Sequence, residues 1–134
     1  MSAKFEPIQV VDWETQKTEQ SPTASGLRLM YFRISNYPPE EWIQLFDNQR
    51  QMPTGRNMLG GARAEVSGKH IILDCIPDEK EMQKQIDYLK HDASVANQNY
   101  QEYLKRVEAE NLRIAQKQQA EMQEIEGIKS RIKI

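Results

Sequence analysis

A long helix is predicted to begin within residues 77–107, which read PDEKEMQKQIDYLKHDASVANQNYQEYLKRV. Asp78 can cap the first turn, and Glu81 three residues later can reach back to complete a capping box. Neither proline nor glycine occurs again until Gly127. So long a stretch without a helix breaker predicts one amphipathic helix at the C-terminal end of the sequence.

This helix carries a heptad seam, because its apolar and small residues alternate between spacings of four and three. Continued beyond Val107, the same register meets mostly charged residues, so the apolar seam is expected to fade there. The seam can cover the sheet of its own domain or pair with a second chain. Both are possible together if the first turns cover the sheet and the later turns project. Its members are Met82, Ile86, Leu89, Ala93, Ala96, Tyr100, Tyr103 and Val107.

The residues before the long helix predict a small sheet and one short helix. Residues 27–35, LRLMYFRIS, are apolar on both alternating faces and predict an interior strand. Trp42, Leu45 and Phe46 form the buried stripe of a helix from Pro39 to about Gln51. Residues 62–66 and 70–76 predict a hairpin, residues 7–13 a short strand, and residues 14–25 an unpatterned loop. The fold class is therefore α+β, a mixed or antiparallel sheet with a β-α-β-β-α core and a long C-terminal amphipathic helix.

Two regions are predicted, an α+β head over residues 1–107 and a projecting polar helix with a basic, isoleucine-containing tail over residues 108–134. Residues 108–126 contain few apolar groups, and a free helix of this kind is marginal in water. It therefore frays, pairs with another copy or docks on a partner, while the tail is either disordered or a binding segment. The predicted partner-binding residues are Leu89, Tyr100, Tyr103, Val107, Ile114, Ile125, Ile128 and Ile132.

Composition and charge exclude several classes of protein. The net charge is −2, and neither half of the chain has the excess of positive charge that non-specific binding of nucleic acid requires. No apolar run approaches the roughly 20 residues that span a bilayer, and the first residues lack the apolar core of a signal peptide. The single cysteine, Cys75, permits no intrachain disulfide. A cytoplasmic location without membrane association is therefore expected.

Catalytic and metal-binding patterns are incomplete in this sequence. The glycines at 55 and 60 have the spacing of a phosphate loop, but the lysine and hydroxyl residue that should follow are absent. His70, Cys75 and His91 do not have the spacing of a zinc site, and Cys75 is expected to be a buried, unreactive thiol. Asp74 is expected either to face solvent at a strand end or to pair with an arginine such as Arg28 or Arg33. We therefore expect no catalytic residue, no metal and no cofactor.

One loop remains a candidate binding site. Arg50, Arg56 and Arg63 flank a glycine-containing segment and could hold an acidic peptide or a phosphate, unless the segment is only a solvated linker. The leading hypothesis is a non-enzymatic protein–protein interaction or assembly module that uses its long helix for self-association or for docking on a protein partner. The alternatives are a nucleic-acid-associated protein with an arginine-bearing face, and a small-ligand-binding or enzymatic domain.

Overall fold

A computed structural model describes residues 5–51 and 62–133 of the chain. It confirms the α+β class, with four strands, one short helix and one long helix. The chain divides into two compact units, Met1–Tyr100 and Gln101–Ile134. The elements are β1 (Val10–Gln20), β2 (Arg28–Ile34), α1 (Glu40–Gln51), β3 (Arg63–Ser67), β4 (His70–Cys75) and α2 (Glu79–Arg131).

The four strands form one antiparallel sheet in the order β1-β2-β4-β3. Because β2 and β3 each pair antiparallel with β4, they run in the same direction with β4 between them. Helix α1 connects them, which is the split βαβ arrangement that the order of elements predicts. The sequence favours Ser67-Gly68 as the hairpin turn, but the β3–β4 turn is Gly68-Lys69, one residue later. Gly68 has the positive φ of 60° that favours glycine at this turn position.

Strand β1 is longer than the sequence indicated, because residues 14–20 were expected to lie in a loop. The strand pairs with β2 through irregular register shifts between Val10 and Asp12 and between Glu14 and Glu19. It lies at the edge of the sheet, and its residues from Thr15 to Gln20 are all exposed. An edge strand that buries neither side shows no apolar alternation, so the polar sequence concealed it.

The core lies on one face of the sheet. Met30, Phe32 and Ile34 on β2 are buried there, together with Ile71 and Leu73 on β4. The other face of β2 is only half-buried, so the expectation that both faces are covered holds for one face alone. The helices complete the core with Trp42, Phe46, Met82, Leu89, Ala93 and Ala96.

Helix α2 begins as its sequence predicts. The carboxylate of Asp78 accepts a hydrogen bond from the backbone N–H of Glu81 at 3.1 Å, the first half of the capping box. The reciprocal bond is replaced, because the Glu81 carboxylate accepts from the side chain of Gln85 at 2.9 Å. The helix does not end at Gly127 but continues to Arg131, where Lys129 and Arg131 suit the negative end of the helix dipole.

Candidate functional site

The candidate site is a surface of α2 in the unit Gln101–Ile134. Of the ten large apolar side chains that are exposed in the described part of the chain, seven lie between residues 107 and 132. Almost every residue of this unit is exposed over residues 105–133. A binding site would explain why so many apolar side chains lie on a solvent-exposed helix. The seven are Val107, Leu112, Ile114, Met122, Ile125, Ile128 and Ile132, exposed by between 36% and 59%.

Five of these side chains share one face of the helix. At about 100° per residue they fall within a sector of about 60°. Leu112 lies on the opposite face, and Met122 lies about 60° beyond the edge of the sector. Ile132 follows the last helical residue, yet its N–H still donates to the carbonyl of Lys129 at 3.2 Å and so continues the last turn. We call the five residues the apolar stripe: Val107, Ile114, Ile125, Ile128 and Ile132.

The stripe follows a heptad register that lies one residue later than the predicted continuation at every second seam position. The expected positions after Val107 were Glu110, Ile114, Lys117, Glu121 and Glu124, of which only Ile114 is apolar. The exposed side chains instead fit a pattern with two successive steps of four residues, from Tyr103 to Val107 and from Val107 to Asn111. Two such steps form a stutter in a heptad pattern. Beyond Asn111, steps of three and four residues alternate again. The seam positions are then Val107, Asn111, Ile114, Gln118, Glu121, Ile125, Ile128 and Ile132.

The other predicted partner-binding residues are less exposed. Leu89 is 0% exposed and belongs to the core of the unit Met1–Tyr100, so its side chain offers no surface to a partner. Tyr100 is half-buried, with its ring centroid 4.6 Å from that of Phe5. Tyr103 is also half-buried. The accessible part of the predicted set is therefore the apolar stripe.

Charged residues border the apolar stripe on both sides. One border consists of Glu110, Lys117, Glu124 and Arg131, seven residues apart and alternating in sign. The other border contains Glu108 and Lys129. Glu110 also forms an exposed ion pair with Arg113 at 2.6 Å, and this hydrogen bond lowers the pKa of the Glu110 carboxyl and raises that of Arg113.

The structure does not support the predicted arginine loop as one binding site. Arg50 is fully buried, and its guanidinium donates to the Asp92 carboxylate at 2.7 Å and to the carbonyl of Ala62 at 2.9 Å. These bonds join α1 to α2 and to the start of β3, so Arg50 is not available to an external anion. Arg63 is exposed on β3, and Arg56 and the glycine pattern before Ala62 lie outside the described residues.

Sequence reasoning missed two polar contacts in the unit Met1–Tyr100. The first is the Arg50–Asp92 pair, for which the signal was the position of Arg50 four residues after Phe46 on the buried stripe of α1. The second is Asn97, whose side-chain oxygen accepts from the Trp42 indole at 2.8 Å and from the backbone N–H of Ile8 at 2.9 Å. Its amide also donates to the carbonyl of Ile8 at 2.9 Å. Both contacts have structural roles.

The remaining candidates for chemistry have local partners. Asp74 pairs with neither predicted arginine, since its carboxylate accepts from the hydroxyls of Ser21 at 2.9 Å and Thr23 at 3.1 Å. Cys75 is a buried thiol, as predicted, and burial chiefly raises its pKa to about 11. His70 lies 2.8 Å from Glu14, and their hydrogen bond lowers the pKa of the Glu14 carboxyl. Among residues 5–51 and 62–133, no group of three or more His, Cys, Asp or Glu side chains could hold a metal ion.

Two further observations concern the whole of the described chain. Neither of its helices has a segment long and apolar enough to cross a membrane. In comparisons with known proteins, no family model, no curated protein and no solved structure matches this chain.

Proposed function

We propose that this chain is a non-enzymatic protein–protein interaction or assembly module that binds protein through the apolar stripe of α2. The observation that carries the proposal is the alignment of five exposed aliphatic side chains on one face of the solvent-exposed part of α2. Fully burying one such side chain contributes about 1.5–3 kcal/mol. Because these side chains are already partly covered, each would add roughly 1 kcal/mol when a partner covers the rest.

The alternative of a nucleic-acid-associated protein has less support. The five arginines that such a binding face would use are Arg28, Arg33, Arg50, Arg56 and Arg63. Of these, Arg50 is buried and paired with Asp92. Arg28 donates to the backbone carbonyls of Ser25 and Leu27. The net charge of −2 also provides no general attraction to phosphate.

The test compares the proteins that associate with the chain in its native cells before and after the apolar stripe is made polar. Ile114, Ile125 and Ile128 are replaced together by glutamine, which has a higher helix propensity than isoleucine. Any loss of association then reflects the lost apolar surface and not a weakened helix. We expect the tagged chain, cross-linked in cells and identified by mass spectrometry, to lose its associated protein.

Leu112→Gln provides the matched control, because Leu112 and Ile125 are both 59% exposed but lie on opposite faces of the helix. The control should keep the associated protein. If the control and the triple variant lose association equally, non-specific hydrophobic association explains the binding. If the triple variant binds as the unchanged chain does, the stripe is not the binding surface. Either result would contradict the proposed function.

A further inference from the structure

We propose that the protein that covers the apolar stripe is a second copy of this chain, whose α2 pairs with the first as an antiparallel coiled coil. This inference rests on the proposed function and specifies its partner. The proposed register places Gln118 of one copy opposite Glu121 of the other. The arrangement is two-fold symmetric, so every contact occurs twice.

The seam layers follow directly from this register. In heptad notation, Asn111, Gln118, Ile125 and Ile132 occupy a positions, and Val107, Ile114, Glu121 and Ile128 occupy d positions. Reversing one helix sets each a residue opposite a d residue of the other copy. All five members of the apolar stripe are then covered, and the polar seam residues Gln118 and Glu121 meet each other at the centre. The layers are Val107 with Ile132, Asn111 with Ile128, Ile114 with Ile125, and Gln118 with Glu121.

The charges that border the stripe agree with the same register. In an antiparallel pair the g residues of the two copies are neighbours, and so are the e residues. Glu110 then faces Arg131, and Lys117 faces Glu124. On the other border Glu108 faces Lys129, while the uncharged e residues Ala115 and Met122 meet. Every charged contact along both borders joins opposite signs, so charge and apolar cover select the same alignment.

Shifting the antiparallel pair by one heptad removes this agreement. In one direction Glu110 faces Glu124 and Lys117 faces its own copy. In the other direction Lys117 faces Arg131 and Glu124 faces its own copy. Both shifted registers therefore bring like charges together along the g border. Opposed like charges are destabilising, so the alternating signs at intervals of seven residues favour the proposed register over both one-heptad shifts.

A parallel pair is also less favourable. It would align each seam residue with itself, so that Glu121 of one copy opposes Glu121 of the other inside the seam. Its g residues would face the e residues of the next heptad, which leaves Glu124 with Lys129 as the single attractive contact. Lys117 would lie beside Met122 and gain no partner. The charges thus distinguish the two orientations as well as the register.

The experiment measures dimerisation of the purified full chain by sedimentation equilibrium over a range of concentrations. Lys117→Glu and Glu124→Lys are each made singly and then together. Each single variant turns two attractive contacts per dimer into repulsive ones, so we expect dimerisation to weaken about tenfold. The double variant should recover an affinity close to that of the unchanged chain, because the exchanged charges again face opposite signs.

Several results would overturn the inference. A chain that stays monomeric at all concentrations excludes a second copy as the occupant. A double variant that dimerises as weakly as the single variants excludes this register. In a parallel dimer the double variant should be as weak as Glu124→Lys alone, because lysines at 124 and 129 would then repel. Leu112→Gln should leave dimerisation unchanged, and circular dichroism of every variant checks that the helix is retained.

Failure of this inference is distinguishable from failure of the proposed function. A monomeric chain that nevertheless loses a different associated protein in cells when Ile114, Ile125 and Ile128 are changed would refute the second copy alone. The proposed function would then stand with another protein on the apolar stripe. If the stripe variants change neither dimerisation nor association in cells, both proposals are wrong.

Discussion

Replacing Arg50 by methionine tests whether the buried ion pair ties the helices of the unit Met1–Tyr100 together. Arg50 is 0% exposed, and its guanidinium lies 2.7 Å from the Asp92 carboxylate, whose side chain is 3% exposed. Methionine keeps much of the aliphatic volume but leaves a buried carboxylate without this partner. Breaking a buried pair in this way costs about 3–5 kcal/mol, a large share of the roughly 5–15 kcal/mol that stabilises a typical domain.

Urea unfolding followed by tryptophan fluorescence measures this loss, because both tryptophans, Trp13 and Trp42, lie in the same unit. With a dependence of about 2 kcal/mol per molar urea, the midpoint should fall by roughly 2 M. Arg33→Met is the matched control. The Arg33 side chain is 50% exposed and its contact with Glu14 is 4.0 Å long, so its removal should shift the midpoint little.

A double variant, Arg50→Met with Asp92→Leu, separates the buried charge from the lost packing. Exchanging a buried ion pair for apolar residues is often neutral, so most of the stability should return. The carbonyl of Ala62 still loses a donor, which leaves a deficit of about 1 kcal/mol. If Arg50→Met shifts the urea midpoint as little as Arg33→Met does, the Arg50–Asp92 pair does not stabilise the packing of the two helices. If the double variant is as unstable as Arg50→Met, the loss does not come from the uncompensated carboxylate.

Three further predictions concern single side chains. Leu89→Asp should unfold the unit Met1–Tyr100, since a charge at this fully buried position costs about 4 kcal/mol or more, whereas Leu112→Asp, at a 59% exposed position off the apolar stripe, should leave the urea midpoint unchanged. Equal midpoints for the two variants would contradict the assignment of Leu89 to the core. The thiol of Cys75, whose pKa is raised to about 11, should resist alkylation at pH 8 in the folded protein and react once urea unfolds it; rapid reaction of the folded chain would show that the thiol is accessible. The Glu14 carboxyl should titrate below its usual pKa of 4.5, so its contribution to stability is present above pH 4.5 and is lost as the pH falls through the lowered pKa. In His70→Gln, an NMR titration should show the pKa of Glu14 moving upward, and an unmoved pKa would mean that His70 is not the cause.

The features that sequence predicted well depend on local signals. The start of α2 is predicted from Asp78 and the following run without helix breakers. The hydrogen bond from the Glu81 N–H to the Asp78 carboxylate confirms it. The interior strand and the hairpin were recognisable because apolar residues alternate where one face is buried. The order of strands and helices then restricted the topology to very few arrangements, of which the split βαβ form is the one observed.

The features that sequence missed depend on distant partners or on the absence of burial. Arg50 reads as a surface charge, and only the spatial proximity of Asp92, forty-two positions later, makes it a core residue. The second half of β1 has no buried face, so its polar residues gave no periodic signal. Asn97 likewise became a contact between Trp42 and the N-terminal segment only when the chain folded.

The missed register of α2 has a different cause. The prediction assumed a strict heptad beyond Val107. An undistorted helix drifts by about 20° per heptad relative to a strict heptad, and here a stutter interrupts the heptad at Val107. The two successive spacings of four add Ile125 and Ile132 to the seam that already holds Ile114 and Ile128. The partner-binding prediction included these isoleucines, but one fixed repeat did not place Ile125 and Ile132 on the seam.

The polar seam residues Gln118 and Glu121 support a specific pairing better than general stickiness. A surface that only collects apolar contacts gains nothing from an amide and a carboxylate in the middle of its isoleucines. In the proposed register the same two residues meet each other. A register that sets either of them against an isoleucine adds a desolvation cost to the one that Asn111 already incurs opposite Ile128. Polar groups at seam positions characteristically lower stability and raise specificity. In the proposed dimer, Gln118 and Glu121 would therefore fix the alignment, while the isoleucines on either side of them supply the affinity.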